Sequence, residues 1–282
     1  MRQVLVASIV CMGMGGVASG AGPVTVSGLK NPESAVVGPG GKVYVTLIGE
    51  RDKPGDGTIA VVDPSGKITT FATGLDDPKG MVAVGDDLFV ADVRKVWRVD
   101  SAGKVEVFLK PEDFPRPPVF FNDIAHDGRG TFYVSDSGDR AGRKGAVFRI
   151  DPARKVTLLI DAELTSPPIS VPNGLLVDDA DHILVADWGQ GYLYRFDMNT
   201  GNAQRLGGGF GGADGLARGA DGRLFVSDWK NGRLFVVTSE LEPPALLSSQ
   251  FQSAADIAIT PDGKTLLVPD MKAGTLTWFP IR

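Results

Sequence analysis

The chain has 282 residues, is rich in glycine (37) with 19 prolines, and carries a formal net charge of −5 at a pI near 5.1. That length allows one large β domain or two smaller ones, and the acidic balance argues against nucleic acid or an anionic membrane surface as the main partner. Val, Ile, Leu and Phe fall in short runs between turn residues, the composition of an all-β protein made of many short strands.

At the N-terminus, Arg2 precedes the apolar segment VLVASIVCMGMGGVA, and small residues follow at Ala18-Ser19-Gly20-Ala21. The pattern predicts a secretory signal over residues 1–22, too short for a transmembrane helix. Cys11 is the only cysteine and lies inside it, and Ser8-Ile9-Val10 is a poor match to the approach to a lipid-attachment cysteine. The mature chain then has neither disulfides nor thiol chemistry. A periplasmic or secreted protein is expected, with no membrane insertion once the signal is removed.

From residue 23 onward the sequence repeats. The segments VYVTL (43–47), LFVAD (88–92), FYVSD (132–136), ILVAD (183–187), LFVSD (224–228) and LLVPD (266–270) are related, with ends spaced by 45, 44, 51, 41 and 42 residues. Each is preceded by a tight turn and followed by a second β-patterned run, so each unit reads as four strands. The fifth unit, for example, reads as GLARG, RLFVS, RLFVV and ALLSS. The last unit ends after three strands at Arg282, and PVTVSG (23–28) supplies a fourth from the other terminus. Such a closure leaves no exposed sheet edge. The prediction is one domain over residues 23–282, a six-bladed β-propeller of four-stranded blades, closed by an N-terminal strand joining the last blade.

The start of each innermost strand carries a polar residue: Glu33, Lys79, Asn122, Asn173, Asp214 and Asp256. Any one of these can cap a turn. Together they ring the mouth of the central channel with a net charge of −2, and converging carboxylates raise one another's pKa unless a cation sits among them. Carboxylate and amide oxygens without His or Cys are hard ligands, suited to Ca²⁺ or Mg²⁺ and poor for Zn²⁺. The longest connections, 49–57, 110–121, 137–145, 161–172 and 206–213, fall on the same face, while the opposite turns are short. Elaborated loops around a polar ring are how a propeller builds a site for a small molecule. Phe114, Phe120, Phe121 and Phe210 are candidates for its apolar wall.

Other residues read as structural. The Asp ending the second strand in five units (Asp92, Asp136, Asp187, Asp228, Asp270) is expected to accept N–H bonds from the turn that follows. His126 and His182 fall away from the ring, and Asp187-Trp188 and Asp228-Trp229 read as packing pairs. There is no Ser-His-Asp triad and no nucleotide-binding glycine motif.

The ordered series Pro32-Glu33-Ser34, Phe121-Asn122-Asp123, Val171-Pro172-Asn173-Gly174-Leu175 and Ala213-Asp214-Gly215 resembles the regucalcin/gluconolactonase family of six-bladed propellers, related to the paraoxonases and diisopropyl fluorophosphatase. The resemblance spans the mature chain. It implies Ca²⁺ or another divalent ion held by Glu33, Asn173 and Asp214, with Asn122 either joining the metal shell or binding substrate, and Asp123 orienting its neighbours. The implied reaction is hydrolysis of a lactone or related ester, with Asp214 as general base or nucleophile. Relatives that act on sugar lactones often carry Arg two residues before the Asn of the third blade; Phe120 stands there, which points to a less polar substrate. Phe120 and Lys79 are therefore expected on the substrate side with Asn122 and Asp123. The paraoxonase histidine dyad has no counterpart. The alternative is a non-catalytic propeller that binds a small ligand or a protein, its metal structural or replaced by the Lys79 ammonium.

Overall fold

In the computed structural model, which describes residues 22–139, 141–239 and 242–281, the six repeats become six four-stranded antiparallel sheets. The leader expected over residues 1–22 lies, apart from Gly22, outside the described residues. The first strand, β1 (Val24–Ser27), belongs to the last sheet. Blade 1 is β2 (Pro32–Val37), β3 (Val43–Leu47), β4 (Gly57–Val62) and β5 (Ile68–Leu75). Blade 2 is β6 (Pro78–Val84), β7 (Asp87–Asp92), β8 (Lys95–Val99) and β9 (Val105–Leu109). Blade 3 is β10 (Phe121–His126), β11 (Phe132–Asp136), β12 (Ala146–Ile150) and β13 (Val156–Asp161). Blade 4 is β14 (Pro172–Val177), β15 (His182–Asp187), β16 (Tyr192–Asp197) and β17 (Ala203–Gly208). Blade 5 is β18 (Ala213–Arg218), β19 (Leu224–Asp228), β20 (Arg233–Val237) and β21 (Ala245–Ser248). Blade 6 combines β22 (Ala258–Ile259), β23 (Thr265–Asp270) and β24 (Thr275–Pro280) with β1, which pairs antiparallel to β24 from Val24↔Trp278 to Ser27↔Thr275. The inner strands touch in the cyclic order β2, β6, β10, β14, β18, β22 and back to β2, so the sheets close into a six-bladed propeller. Among the described residues no helix is long and apolar enough to cross a membrane.

The continuous apolar runs follow from this packing. Successive side chains of a strand point to opposite faces of its sheet, and both faces of each blade meet a neighbour. Leu88 and Val90 therefore enter the core between blades 1 and 2, while Phe89 and Ala91 enter the core between blades 2 and 3. Six such cores fill the six interfaces, and each buried Leu, Val or Phe contributes about 1.5–3 kcal/mol. Phe114, Phe121 and Phe210 are spent here. Phe114 and Phe121 pack with Phe148 at ring distances of 5.1 and 6.2 Å, and Phe210 sits 5.1 Å from Phe235. Of the four phenylalanines expected on the channel wall, these three dock the connections onto the blades instead.

The inner strands share an irregularity that the sequence does not announce. In blades 1 to 5 pairing with the second strand jumps from Pro32 to Ala35, Pro78 to Met81, Phe121 to Ile124, Pro172 to Leu175 and Ala213 to Leu216. The two skipped residues form a bulge, which bends the strand and re-aims a side chain. The first of each pair is the ring residue: Glu33, Lys79, Asn122, Asn173 or Asp214. In alternate blades a hydroxyl on the second strand caps the N–H that the bulge releases: Ser34 N–H donates to Thr46 Oγ1 (2.9 Å), Asp123 N–H to Ser135 Oγ (2.8 Å) and Gly215 N–H to Ser227 Oγ (2.8 Å). Thr46 and Ser227 pass the bond on to Lys79 O and Ala255 O of the next blade.

The second bulge residue faces the neighbouring blade. A Cβ on Gly174 would collide with Asp214 O, and one on Gly215 would lie 2.6 Å from Asp256 Cα. The Asn-Gly and Asp-Gly pairs thus record close approach between blades, not turns. Where the second residue has a side chain, that side chain makes the link: Ser34 Oγ accepts from Met81 N–H at 3.3 Å, and Asp123 Oδ2 accepts from Leu175 N–H at 2.6 Å.

The repeated Asp of the second strand draws its main donors from the connection leading into its own blade, not chiefly from the following turn as expected. Asp92 accepts from Asp76 and Asp77 N–H (2.8 and 2.7 Å), Asp136 from Val119 and Phe120 N–H (both 2.8 Å), and Asp270 from Gln252 and Ser253 N–H (2.7 and 2.9 Å). Turn donors such as Gly138 N–H to Asp136, at 2.9 Å, come in addition. These carboxylates fix the backbone just before each bulge, and so fix the height of the ring.

Candidate functional site

The bulges bring Glu33, Lys79, Asn122, Asn173 and Asp214 to the wall of one cavity of about 550 Å³. Loop residues complete it: Arg51, Asp52, Asp77, Phe120, Ser137, Asp139, Val171, Trp188, Trp229 and Met271. Glu33, Asn173, Asp214 and Lys79 are each no more than 5% exposed. Asp256, the sixth position of the expected ring, does not line the cavity. Blade 6 has no matching bulge at this point; Asp256 N–H bonds Glu33 O at 2.9 Å, and the Asp256 carboxylate accepts the Ser34 hydroxyl at 2.5 Å.

Glu33 Oε2 and Asp214 Oδ1 are buried without a hydrogen-bond partner among the described residues. An unpaired buried carboxylate oxygen is costly, and in the protein by itself protonation answers it. Burial, with Asp214 and Asp256 nearby, pushes Glu33 well above the usual carboxylate range despite the opposing Lys79 ammonium. Burial and then Asp256 push Asp214 up to about 8, against smaller opposing effects of Lys79 and of the Asn173 side-chain hydrogen bond. Burial raises Asp256 to about 7, partly offset by Ser34.

Asn122 is oriented by the protein: its Nδ2 donates to Ser137 Oγ at 3.1 Å, and that hydroxyl donates to Pro172 O at 2.8 Å, which leaves the Asn122 carbonyl oxygen for a ligand. Asn173 lines the same cavity beside Asp214. Among the described residues no three carboxylate, imidazole or thiol side chains cluster as a metal cage. The donor set is two carboxylates with orphaned oxygens plus amide oxygens, which fits a hard cation such as Ca²⁺ and suits Zn²⁺ poorly.

Asp123 lies behind this wall. Its Oδ1 accepts from Ile124 N–H and its Oδ2 from Leu175 N–H, both at 2.6 Å, so it ties blade 3 to blade 4 and does not line the cavity. Burial, then the charge of Asp256, holds it well above the ordinary carboxylate range. Lys79 does line the cavity. Its ammonium sits 4.8 Å from the centre of the Phe120 ring, a cation–π contact, and no ion pair closes on it among the described residues. His126 and His182 lie elsewhere; His182 bonds Asp179 at 2.8 Å.

Trp188 and Trp229, expected as packing pairs, are wall residues. Their rings lie 6.3 Å apart, with Lys230 over Trp188 at 4.0 Å and Lys272 over Trp229 at 4.6 Å. Ser137, Trp188, Trp229 and Met271 each directly follow the repeated Asp. They form a second tier of the cavity, and the repeat alignment carried that signal one residue past its end. A further cavity of about 640 Å³ lies at the seam of blades 6 and 1, but its Lys53 is already paired with Glu50 at 2.9 Å and it contains none of the ring.

A family model described as the SMP-30/Gluconolactonase/LRE-like region matches residues 73–243, more than half of the sequence. No curated protein sequence matches. Among solved structures, a candidate gluconolactonase superposes with a TM-score of 0.74 at 19% identity over 94% of both chains. A calcium-binding protein, regucalcin from Agrobacterium tumefaciens, gives 0.71 at 19% identity over 90% of both. Virginiamycin B lyase from Staphylococcus aureus gives 0.64 at 14% identity, over 92% of this chain and 99% of that one. At these identities the structural likeness establishes the fold.

Proposed function

Because the chain belongs to the SMP-30/gluconolactonase/LRE-like family, we propose that it is an exported, calcium-dependent hydrolase of lactones or related esters. The observation that carries this reading is the pair of orphaned, buried carboxylate oxygens, Glu33 Oε2 and Asp214 Oδ1, on one cavity wall with Asn122 and Asn173. Glu33, Asn173 and Asp214 would hold the cation, with Asn122 beside them. Bound there, a divalent cation supplies Lewis-acid polarisation of the substrate carbonyl.

The rest is the work of this chain's side chains. Asp214 takes the proton of the attacking water as general base. Asn122, fixed by Ser137, offers its carbonyl oxygen to the cation or to a substrate hydroxyl. Val119, Phe120, Val171, Trp188, Trp229 and Met271 surround the rest of the ligand with apolar surface. That lining supports a less polar acyl or ring substituent than a sugar lactone carries. Asp136 fixes Phe120 through the backbone, and Asp123 fixes the relation of blades 3 and 4.

Metal analysis of the purified mature protein, with a lactone and aryl-ester screen in the presence and absence of EDTA, tests the reading. The expected result is a bound divalent ion and hydrolysis that chelation abolishes and calcium restores. No bound ion and no chelator effect would sink it. The buried Lys79 favours a second reading, in which its ammonium balances Glu33 and Asp214 in a metal-free ligand-binding propeller; the same metal analysis separates the two. Export rests on the leader pattern in residues 1–22, and a mature N-terminus near residue 23 in the exported fraction checks it.

A further inference from the structure

We infer that Lys79 is the proton donor to the leaving oxygen of the substrate, acting from the wall of the cavity opposite Asp214. This rests on the hydrolase reading above. Blades 2 and 5 stand diametrically across the ring, since the inner strands follow in cyclic order, and the same bulge that aims Asp214 inward from blade 5 aims Lys79 inward from blade 2. The lysine is placed as firmly as any ring residue. Its carbonyl accepts the Thr46 hydroxyl at 2.9 Å, the residue is 5% exposed, and its ammonium is held over Phe120.

The cavity lining narrows the choice of acid. Among the described residues it holds no histidine, cysteine or tyrosine, and of its other carboxylates Asp52 is exposed, Asp77 accepts the Asp52 N–H with both oxygens, and Asp139 is paired with Arg143. Arg51 does not release its proton. Glu33 and Asp214 are committed to the cation and to the base role. Lys79 carries three N–H donors, and no carboxylate closes an ion pair on it among the described residues. Glu33 and Asp214 lie near enough to feel its charge, which offsets the cost of burying the ammonium while leaving its N–H donors for a ligand.

The step balances. Water adds its oxygen to the carbonyl carbon while Asp214 takes one water proton. The bond from carbonyl carbon to ring or ester oxygen then breaks, and that oxygen takes a proton from Lys79. Solvent carries the proton from Asp214 back to the Lys79 amine, and the products are an acid and an alcohol.

The role is tested by leaving-group dependence. An alkoxide leaving from an alkyl lactone needs the proton, whereas p-nitrophenolate leaves without it. In Lys79→Met, kcat/KM for alkyl γ- and δ-lactones should fall about 10²–10³-fold, within the range of general acid catalysis. For p-nitrophenyl esters it should fall less than about threefold on the same basis. Lys79→Arg, which keeps the charge and protects the fold if the Met variant is unstable, should show the same selective loss at about tenfold or more. Equal losses on the two substrate classes in both variants would overturn the assignment, because a role in packing or charge balance cannot distinguish leaving groups. Calorimetric calcium titration gives an independent reading. Affinity rising about 100-fold or more in Lys79→Met, without a change in selectivity, would make Lys79 the occupant of the cation's place and also overturn it. If the wild-type protein turns over neither class with any divalent ion, the hydrolase reading itself fails, and this proposal with it.

Discussion

Blades 5 and 6 present the same residue at the same place in the repeat and use it differently. Asp214 stands in a bulge, faces the cavity and leaves one buried oxygen unpaired; Asp256, its equivalent, accepts the Ser34 hydroxyl and lies off the cavity. The inner strand of blade 5 spans Ala213–Arg218 and is strapped by Ser227, whereas that of blade 6 shrinks to Ala258–Ile259, with single bridges Ser34↔Asp256 and Ala254↔Asp270 around it. A repeat fixes where a residue sits along the chain. What faces a side chain decides whether it is a ligand or a clamp.

The sharpest way to break the comparison is to neutralise each carboxylate in turn. Asp214→Asn should cost about 10³-fold in kcat/KM and abolish measurable calcium binding in calorimetry. Asp256→Asn, whose amide oxygen still accepts the Ser34 hydroxyl, should leave calcium affinity within about threefold of wild type and show its effect in the pH dependence of the melting temperature. Equal effects of the two substitutions on calcium affinity would erase the distinction.

Next in size is the seam between the two blades. Gly215→Ala places a methyl group against Asp256 Cα and Ile257 N, backbone that cannot move aside cheaply. The expected loss is about 1–3 kcal/mol in denaturant unfolding. Gly222→Ala in the exposed turn of blade 5 meets no neighbouring atom, though its φ of +86° strains any side chain. It should destabilise by conformation alone and leave calcium affinity untouched, whereas Gly215→Ala should weaken calcium binding because the bulge carrying Asp214 shifts. Smaller again is Ser34→Ala, which strips Asp256 of its donor and should lower stability by about 1–2 kcal/mol without loss of the bound ion.

The pH response sharpens the same contrast. Asp214 is raised to about 8 and Asp256 to about 7 in the folded protein, from an ordinary aspartate value of 3.8. Between those values the folded state binds more protons than the unfolded one, so stability without metal falls as pH rises from about 4 towards 8. A melting series in EDTA should show this fall, and saturating calcium should flatten it, since the ion favours the ionised carboxylates. Calcium affinity itself should weaken as pH drops below 8. Asp256→Asn should remove only part of the EDTA slope and Asp214→Asn a larger part, because Asp214 is pushed further above the ordinary aspartate value.

The sequence alone determined the propeller. The period of the strand motif, the truncated last unit and the spare N-terminal strand leave few other ways to bury two-faced apolar strands without open edges. The same spacing placed Glu33, Lys79, Asn122, Asn173 and Asp214 at one level of the channel. Tertiary structure decided which of the equivalent residues serve the cavity, because that choice rests on partners far along the chain. Ser34 claims Asp256 across 222 residues, Leu175 claims Asp123 across 52, and Phe148 and Phe235 take phenylalanines that their positions alone would have assigned to the wall. The bulge was equally hidden, since it is a mismatch between two strands and no single residue type encodes it.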